Sequence, residues 1–331
     1  MERFAVIGAG AWGTALAMVA RRAGRSVILQ AHEPEIAAAI NKSHENPYLP
    51  DVAIDPAIEA TADLGAAIDG IDAAILVAPA QFLRPVTQAM AAATKGPFRK
   101  PVLICAKGIE NATCKLMTEV VAETLPGAPQ AVLSGPTFAV EVARDIPSAV
   151  TLASDNAKLA QQFTQAIGTP RFRPYLSQDP IGAEVGGAVK NVLAIACGIV
   201  QGRGMGDNTR AALITRGLAE IVRLGLAKGA QAETLMGLCG IGDLTLTCNA
   251  MQSRNFSLGV ALGRGRALKD ILAERKAVTE GVFSARAVIE LAGRLGVDMP
   301  ICTAVNAIVN HGKDIDKVIE GLLARPFTKE L

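Results

Sequence analysis

Lys190 and Asn191 stand side by side in "GGAVKNVLAIACG", residues 186–198, a run otherwise made of small and branched apolar residues. Too few polar neighbours define a solvent face. The lysine is therefore expected to be partly buried and to face a cleft, rather than to snorkel to water. Burial lowers an amine's pKa and suits it to general acid/base work. Gly182, Gly186 and Gly187 leave room for another backbone or a ligand to come close. Asp243 in "GIGDLTLTC" lies between glycines and an apolar run, a place for a buried carboxylate that would pair with a lysine. Arg254 in "QSRN" offers a planar donor fork for a phosphate, although the same residues read equally well as a helix start with an exposed arginine. Lys107 in "CAKGIE" directly follows an apolar run, where it either reaches a ligand or is a solvated loop lysine. "SGPT", residues 134–137, is a turn between a strand and a helix, fit to bind an anion or carbonyl oxygen or simply to cap the helix.

A second kind of chemistry opens the chain. "AVIGAGAWGTALAM", residues 5–18, carries Gly8, Gly10 and Gly13 in the order G-x-G-x-x-G. That motif is weak alone. Here it follows a strand-like run, starts a helical pattern and is followed by a second strand, "SVILQ", which is the context a dinucleotide fingerprint requires. Gly8 allows the tight turn, Gly10 the approach of a pyrophosphate, and Gly13 close packing of helix on sheet. At the end of the second strand, "QAHEPE" places His32 and Glu33. An acid there binds ribose hydroxyls of NADH, and a histidine could approach the 2′-phosphate of NADPH. Arg22 and Arg25 are close in sequence and read equally as surface residues. The site is expected to accept both NADPH and NADH.

The elements that must hold these residues change character along the chain. Seven apolar runs, "RFAVIGAG", "SVILQAH", "AAILVAPA", "PVLICAKG", "AVLSGPT", "SAVTLAS" and "RFRPYLS", alternate with helical patterns through the first half. Continuous apolar strands alternating with helices predict a doubly wound, mostly parallel sheet of the Rossmann type. From Pro180 strand-like runs almost vanish and long helical segments follow. The chain is therefore divided into residues 1–179, a dinucleotide-binding domain, and 180–331, an all-helical substrate domain, with "ARPFTKEL" as a loose end. A length of 331 residues allows two cores. A net charge of +2 without a dense basic run speaks against a nucleic-acid-binding face and leaves room for a local cluster that binds a small anion. The six cysteines form no C-x-x-C pair and read as reduced core thiols, not a metal site or disulfide framework. Glu184, Lys190 and Asn191 within residues 181–200 argue for a buried helix rather than a membrane span.

With these motifs on one chain, the sequence resembles the bacterial-type NAD(P)-dependent glycerol-3-phosphate dehydrogenases. The match is collinear from "VIGAGAWGTALA" through "AKGIE", "SGPTFAVEVA", "GGAVKNVLAIA", "GIGDLTLTC", "QSRN" and "VTEGV" to "LGVDMPI". The resemblance implies that Lys190 is the catalytic lysine, with Asp243 and Thr247 the acid and hydroxyl beside it. It implies that Lys107, Gly135, Thr137, Asn191, Ser253, Arg254 and Asn255 contact substrate, the last three as a phosphate grip. It further implies cofactor contacts at Gly8, Gly10, Ala11, Trp12, Gly13, His32, Lys107, Ala139, Arg254, Val278 and Glu280. Where the family often has serine, this chain has Ala11, which offers only its backbone N–H. The activity implied is reduction of dihydroxyacetone phosphate to sn-glycerol 3-phosphate with NADPH or NADH and no metal, in the cytoplasm, by a homodimer, supplying phospholipid synthesis. The alternatives are another β-hydroxyacid dehydrogenase of the same architecture, or a non-catalytic dinucleotide sensor. Lys190 and Asp243 together speak against the sensor.

Overall fold

The computed structural model describes residues 1–275 and 278–327. Residues 328–331, half of the expected loose end, lie outside the described residues. The chain divides into two compact units, one of residues 1–107 and 117–183, the other of 108–116 and 184–331. The boundary falls in the first turn of the Pro180–Gly202 helix. Asp179 starts that helix, its carboxylate accepting from the Gly182 N–H at 2.8 Å, with Pro180 in the first turn, where a missing N–H costs nothing. No shift in composition marks residues 108–116 as part of the helical unit.

The first unit is built on strands β1 (Arg3–Ile7), β2 (Ser26–Gln30), β3 (Glu59–Thr61), β4 (Ala73–Leu76), β5 (Val102–Ile104), β6 (Gln130–Ser134), β7 (Ser148–Ala153) and β8 (Phe172–Ser177). They form one sheet in the order β3-β2-β1-β4-β5-β6-β7-β8. All neighbours are parallel except β6 and β7. The buried apolar runs, such as "AAIL" of β4, form the strands because helices cover both faces. The sequence reading missed β3. Its three residues, "EAT", have no apolar run to betray them and are held by pairing with β2 at the sheet edge. The pattern "TCKLMTEVVAETL" also becomes helical only from Met117, because 109–116 first closes a small bridge between Ile109 and Leu116.

Register places the chemistry. Ile7, the last residue of β1, lies level with Gln30 of β2 and Leu76 of β4, and Leu76 is level with Ile104 of β5. The glycine loop, the segment with His32, Lys107 and the 134–137 turn therefore all leave the carboxyl edge of the sheet. Strand order reverses between β1 and β4, the place where open α/β sheets bind ligands.

Apart from residues 108–116, the second unit is built of helices. Its centre is the Pro180–Gly202 helix, long and apolar enough to cross a membrane, yet with 94% of its most apolar window buried inside the protein. It is packed backbone to backbone on the Arg254–Gly263 helix. A Cβ added to Gly198 would stand 2.1 Å from the Phe256 carbonyl oxygen, and one on Gly259 2.1 Å from that of Ile195. Gly202 and Gly263 repeat the contact one turn on. We expect Gly198→Ala to lower stability by about 1–3 kcal/mol through overpacking. Gly293→Ala, in a helix where a Cβ meets nothing within 4 Å, should instead raise it by roughly 0.5–1 kcal/mol. Urea midpoints of the two variants check both signs.

Candidate active site

Helical packing in the second unit joins residues that are distant in sequence. Gly186 stands one turn before Lys190. A Cβ there would meet the Cys239 carbonyl oxygen at 2.5 Å, so its absence admits the 239–240 backbone against the helix. That backbone belongs to a π-helical turn, Leu238–Gly242, which runs directly into the Asp243–Asn249 helix. Such turns are rare and frequent at functional sites. The Lys190 ammonium lies 2.5 Å from Asp243 Oδ1 and donates to Thr247 Oγ1 at 2.9 Å. The Thr247 hydroxyl in turn donates to Asp243 Oδ1 at 3.3 Å. Lys190 is 6% exposed and Asp243 0%. Taking both charges out of water is costly, and the pair persists because each desolvated charge meets the other with hydrogen bonds around it.

The expected phosphate grip divides by role. The Ser253 hydroxyl accepts from the Phe256 N–H at 3.2 Å and is the N-cap of the Arg254–Gly263 helix. Asn255 is buried. Its Nδ2 donates to Asn191 Oδ1 at 2.9 Å, and its Oδ1 accepts from the Gly281 N–H at 2.9 Å. It thereby ties the lysine-bearing helix to the first turn of the Glu280–Leu295 helix. Of the three, Arg254 is exposed as a residue, with Nη1 donating to the Val278 carbonyl at 2.7 Å. Surrounding protein atoms hold its guanidinium below the ordinary arginine range, and the Glu280 carboxylate opposes that shift. Val278 and Glu280 are thus brought to Arg254. Sequence reasoning missed Arg275, which donates to the Arg254 carbonyl at 2.5 Å and to Ser257 Oγ at 3.1 Å. Its only signal is a basic residue shortly before "VTEG".

In the first unit the three fingerprint glycines differ in purpose. Gly8 has φ +112° and its N–H donates to the Gln30 carbonyl at 3.0 Å, so the turn itself needs glycine. At Gly13 a Cβ would lie 1.8 Å from the Gly8 carbonyl oxygen. At Gly10 a Cβ would meet nothing within 4 Å. Gly10 is also the N-cap of the Ala11–Arg22 helix and gives it no side-chain cap. Open space over the start of a twelve-residue helix is a cradle for an anion. Ala11 and Trp12 are half-buried in the first turn, and the Trp12 Nε1–H is buried without a partner. These features fit the pyrophosphate end of a dinucleotide. His32 is exposed one residue beyond Ala31, and Ala31 is hydrogen-bonded to Thr61.

Arg22 and Arg25 do not reach that region. Arg22 donates to the Val142 carbonyl at 2.9 Å and to that of Ala143, and Arg25 to Glu2 and the Ala166 carbonyl. Lys107 Nζ and Thr137 Oγ1 converge instead on the Gly135 carbonyl, at 3.0 and 3.3 Å. Gly135 has φ +155°, and a Cβ there would lie 2.9 Å from Val150 Cα. Ala139, half-buried, begins a helix of only five residues, Ala139–Ala143. Among the described residues no group of three or more His, Cys, Asp and Glu side chains could hold a metal ion. All six cysteines are free and buried.

Residues 3–160 match the family model for the N-terminus of NAD-dependent glycerol-3-phosphate dehydrogenase, and residues 179–320 the model for its C-terminus. Glycerol-3-phosphate dehydrogenase [NAD(P)+] of Rhodospirillum rubrum is 57% identical over 331 residues, covering 100% of this chain and 94% of that protein. The protein of the same name from Caulobacter vibrioides is 56% identical, covering 99% of each. The crystal structure of glycerol-3-phosphate dehydrogenase from Coxiella burnetii superimposes with a TM-score of 0.94 at 38% identity, over 98% of this chain and 99% of that one. The chain belongs to the NAD-dependent glycerol-3-phosphate dehydrogenase family.

Proposed function

We propose that the protein interconverts dihydroxyacetone phosphate and sn-glycerol 3-phosphate, with NADPH or NADH as the hydride donor in the reducing direction. The buried Lys190–Asp243–Thr247 cluster carries this reading. A bound reduced nicotinamide would supply the hydride for the carbonyl carbon, which places negative charge on the carbonyl oxygen. The Lys190 ammonium meets that charge and gives the oxygen a proton. Asp243 and Thr247 act through the lysine: they hold its Nζ in one direction and offset the cost of keeping it charged away from water. Asn191, fixed by Asn255, orients the substrate. Arg254 and Ser253 bind its phosphate. Lys107, Gly135 and Thr137 serve substrate and cofactor, and Gly8, Gly10, Ala11, Trp12, Gly13, His32, Ala139, Val278 and Glu280 serve the cofactor.

The product suits the chain to supplying glycerol phosphate for phospholipid synthesis in the cytoplasm, and the family likeness supports a homodimer. The experiment is reduction of dihydroxyacetone phosphate followed by loss of nicotinamide absorbance with each cofactor. Keto acids serve as the competing substrates. Turnover of the phosphate and not of the keto acids is expected; the reverse would return the chain to the β-hydroxyacid alternative. Arg254→Ala should raise KM for the phosphate substrate about 10–100-fold, the worth of a hydrogen bond to a charged group, with a smaller change in kcat.

A further inference from the structure

Glu33 lies three residues beyond the end of β2, where an acid commonly binds the adenosine ribose of NADH and repels the extra phosphate of NADPH. It occupies the N-cap position of the Pro34–Ser43 helix, yet its side chain makes no cap hydrogen bond. Its Oε1 instead accepts the Tyr48 hydroxyl at 3.1 Å. Tyr48 comes from the segment after that helix, where His44 at φ 55° turns the chain back. Two residues before the tyrosine, Asn46 is buried. Its Nδ2 donates to the Ala9 carbonyl at 2.9 Å and to Thr14 Oγ1 at 2.8 Å, while its Oδ1 accepts the Tyr48 N–H at 2.9 Å. One side of this segment therefore holds the middle of the glycine loop, and the other holds the carboxylate at the end of β2.

We propose that Tyr48, by holding the Glu33 carboxylate through its hydroxyl, is a positioning residue that sets how the chain discriminates between NADPH and NADH. The proposal rests on the dinucleotide reading of the glycine loop. A carboxylate with one oxygen taken by a phenol has fewer lone pairs for ribose hydroxyls, and its charge is partly offset, so it repels a 2′-phosphate less. The phenol remains a donor: its hydrogen bond to Glu33, then burial and the nearby Glu35 charge, raise its pKa above the ordinary tyrosine value. Tolerance of the phosphate does not come from Arg22 or Arg25, whose guanidinium groups are tied to carbonyls of 142, 143 and 166. The tether through Asn46 keeps the tyrosine backbone fixed relative to the loop that would carry the pyrophosphate, so small shifts of the ring register at the ribose.

Calorimetric titration of the full chain with NADPH and with NADH tests this without turnover. Tyr48→Phe keeps the ring and frees the carboxylate. The ratio of the two Kd values should move toward NADH by roughly fivefold or more. Glu33→Gln should move it toward NADPH, and adding Tyr48→Phe to that variant should change the ratio by less than about twofold, because the coupled partner is gone. An unchanged ratio in Tyr48→Phe, or the same shift with and without the Glu33 carboxylate, would overturn the proposal. Gly10→Val separates this from failure of the underlying reading. If it leaves binding of both dinucleotides intact, the glycine loop is not the site. If it abolishes binding while Tyr48→Phe has no effect on the ratio, the site stands and the role of Tyr48 falls.

Discussion

Lys190→Ala should lower kcat by at least about a hundredfold while changing KM much less, since general acid/base help is worth about 10²–10⁴-fold. The ammonium is proposed to meet charge that exists only as hydride arrives, so removing it costs the transition state more than bound substrate. Lys190→Arg should rescue little. A guanidinium does not readily give up a proton, and the space between Asp243 Oδ1 and Thr247 Oγ1, at 2.5 and 2.9 Å from Nζ, is shaped for one nitrogen. Lys190→Ala also leaves Asp243 wholly buried without its ammonium. We expect a stability loss of about 3–5 kcal/mol, as for other broken buried pairs. Denaturant midpoints separate that loss from the kinetic one. Thr247→Val tests the arrangement more gently, since it keeps the ion pair and removes one acceptor of the ammonium. Near wild-type kcat in folded Lys190→Ala would sink the catalytic assignment.

Gly10→Val should abolish measurable dinucleotide binding while leaving the fold intact. A side chain at Gly10 meets no protein atom within 4 Å of its Cβ, so no packing penalty opposes it. The bulk instead fills the space at the start of the Ala11–Arg22 helix, where the proposed pyrophosphate would approach the backbone. Gly13→Ala makes the contrast. Its Cβ would overlap the Gly8 carbonyl oxygen at 1.8 Å, so that variant should lose stability along with binding. Titration with NADPH, combined with thermal unfolding, distinguishes the two. Full NADPH affinity in folded Gly10→Val would rule out this placement of the cofactor.

Much of the first unit was legible in the chain because its signals are local. Apolar runs that alternate with helical patterns predict a parallel sheet covered on both faces, and a glycine loop between a strand and a helix has few other uses. The polarity of Lys190 and Asn191 within an apolar helix likewise marks them without any partner in view, and the collinear motifs point to the family. What the sequence could not show are relations between residues far apart. The 2.5 Å approach of Lys190 to Asp243 depends on Gly186 admitting the backbone of a π-helical turn some fifty residues on. Asn255 lies in the motif read as a phosphate grip, yet its amide links Asn191 to Gly281. Arg22 and Arg25, near the cofactor segment in sequence, are drawn to carbonyls more than 115 residues away. The strand β3 exists only because β2 offers it an edge. Hydrophobic period and turn chemistry are written into neighbouring residues. Side-chain pairing and backbone contact depend on which surfaces the folded core presses together, and only the tertiary structure decides that.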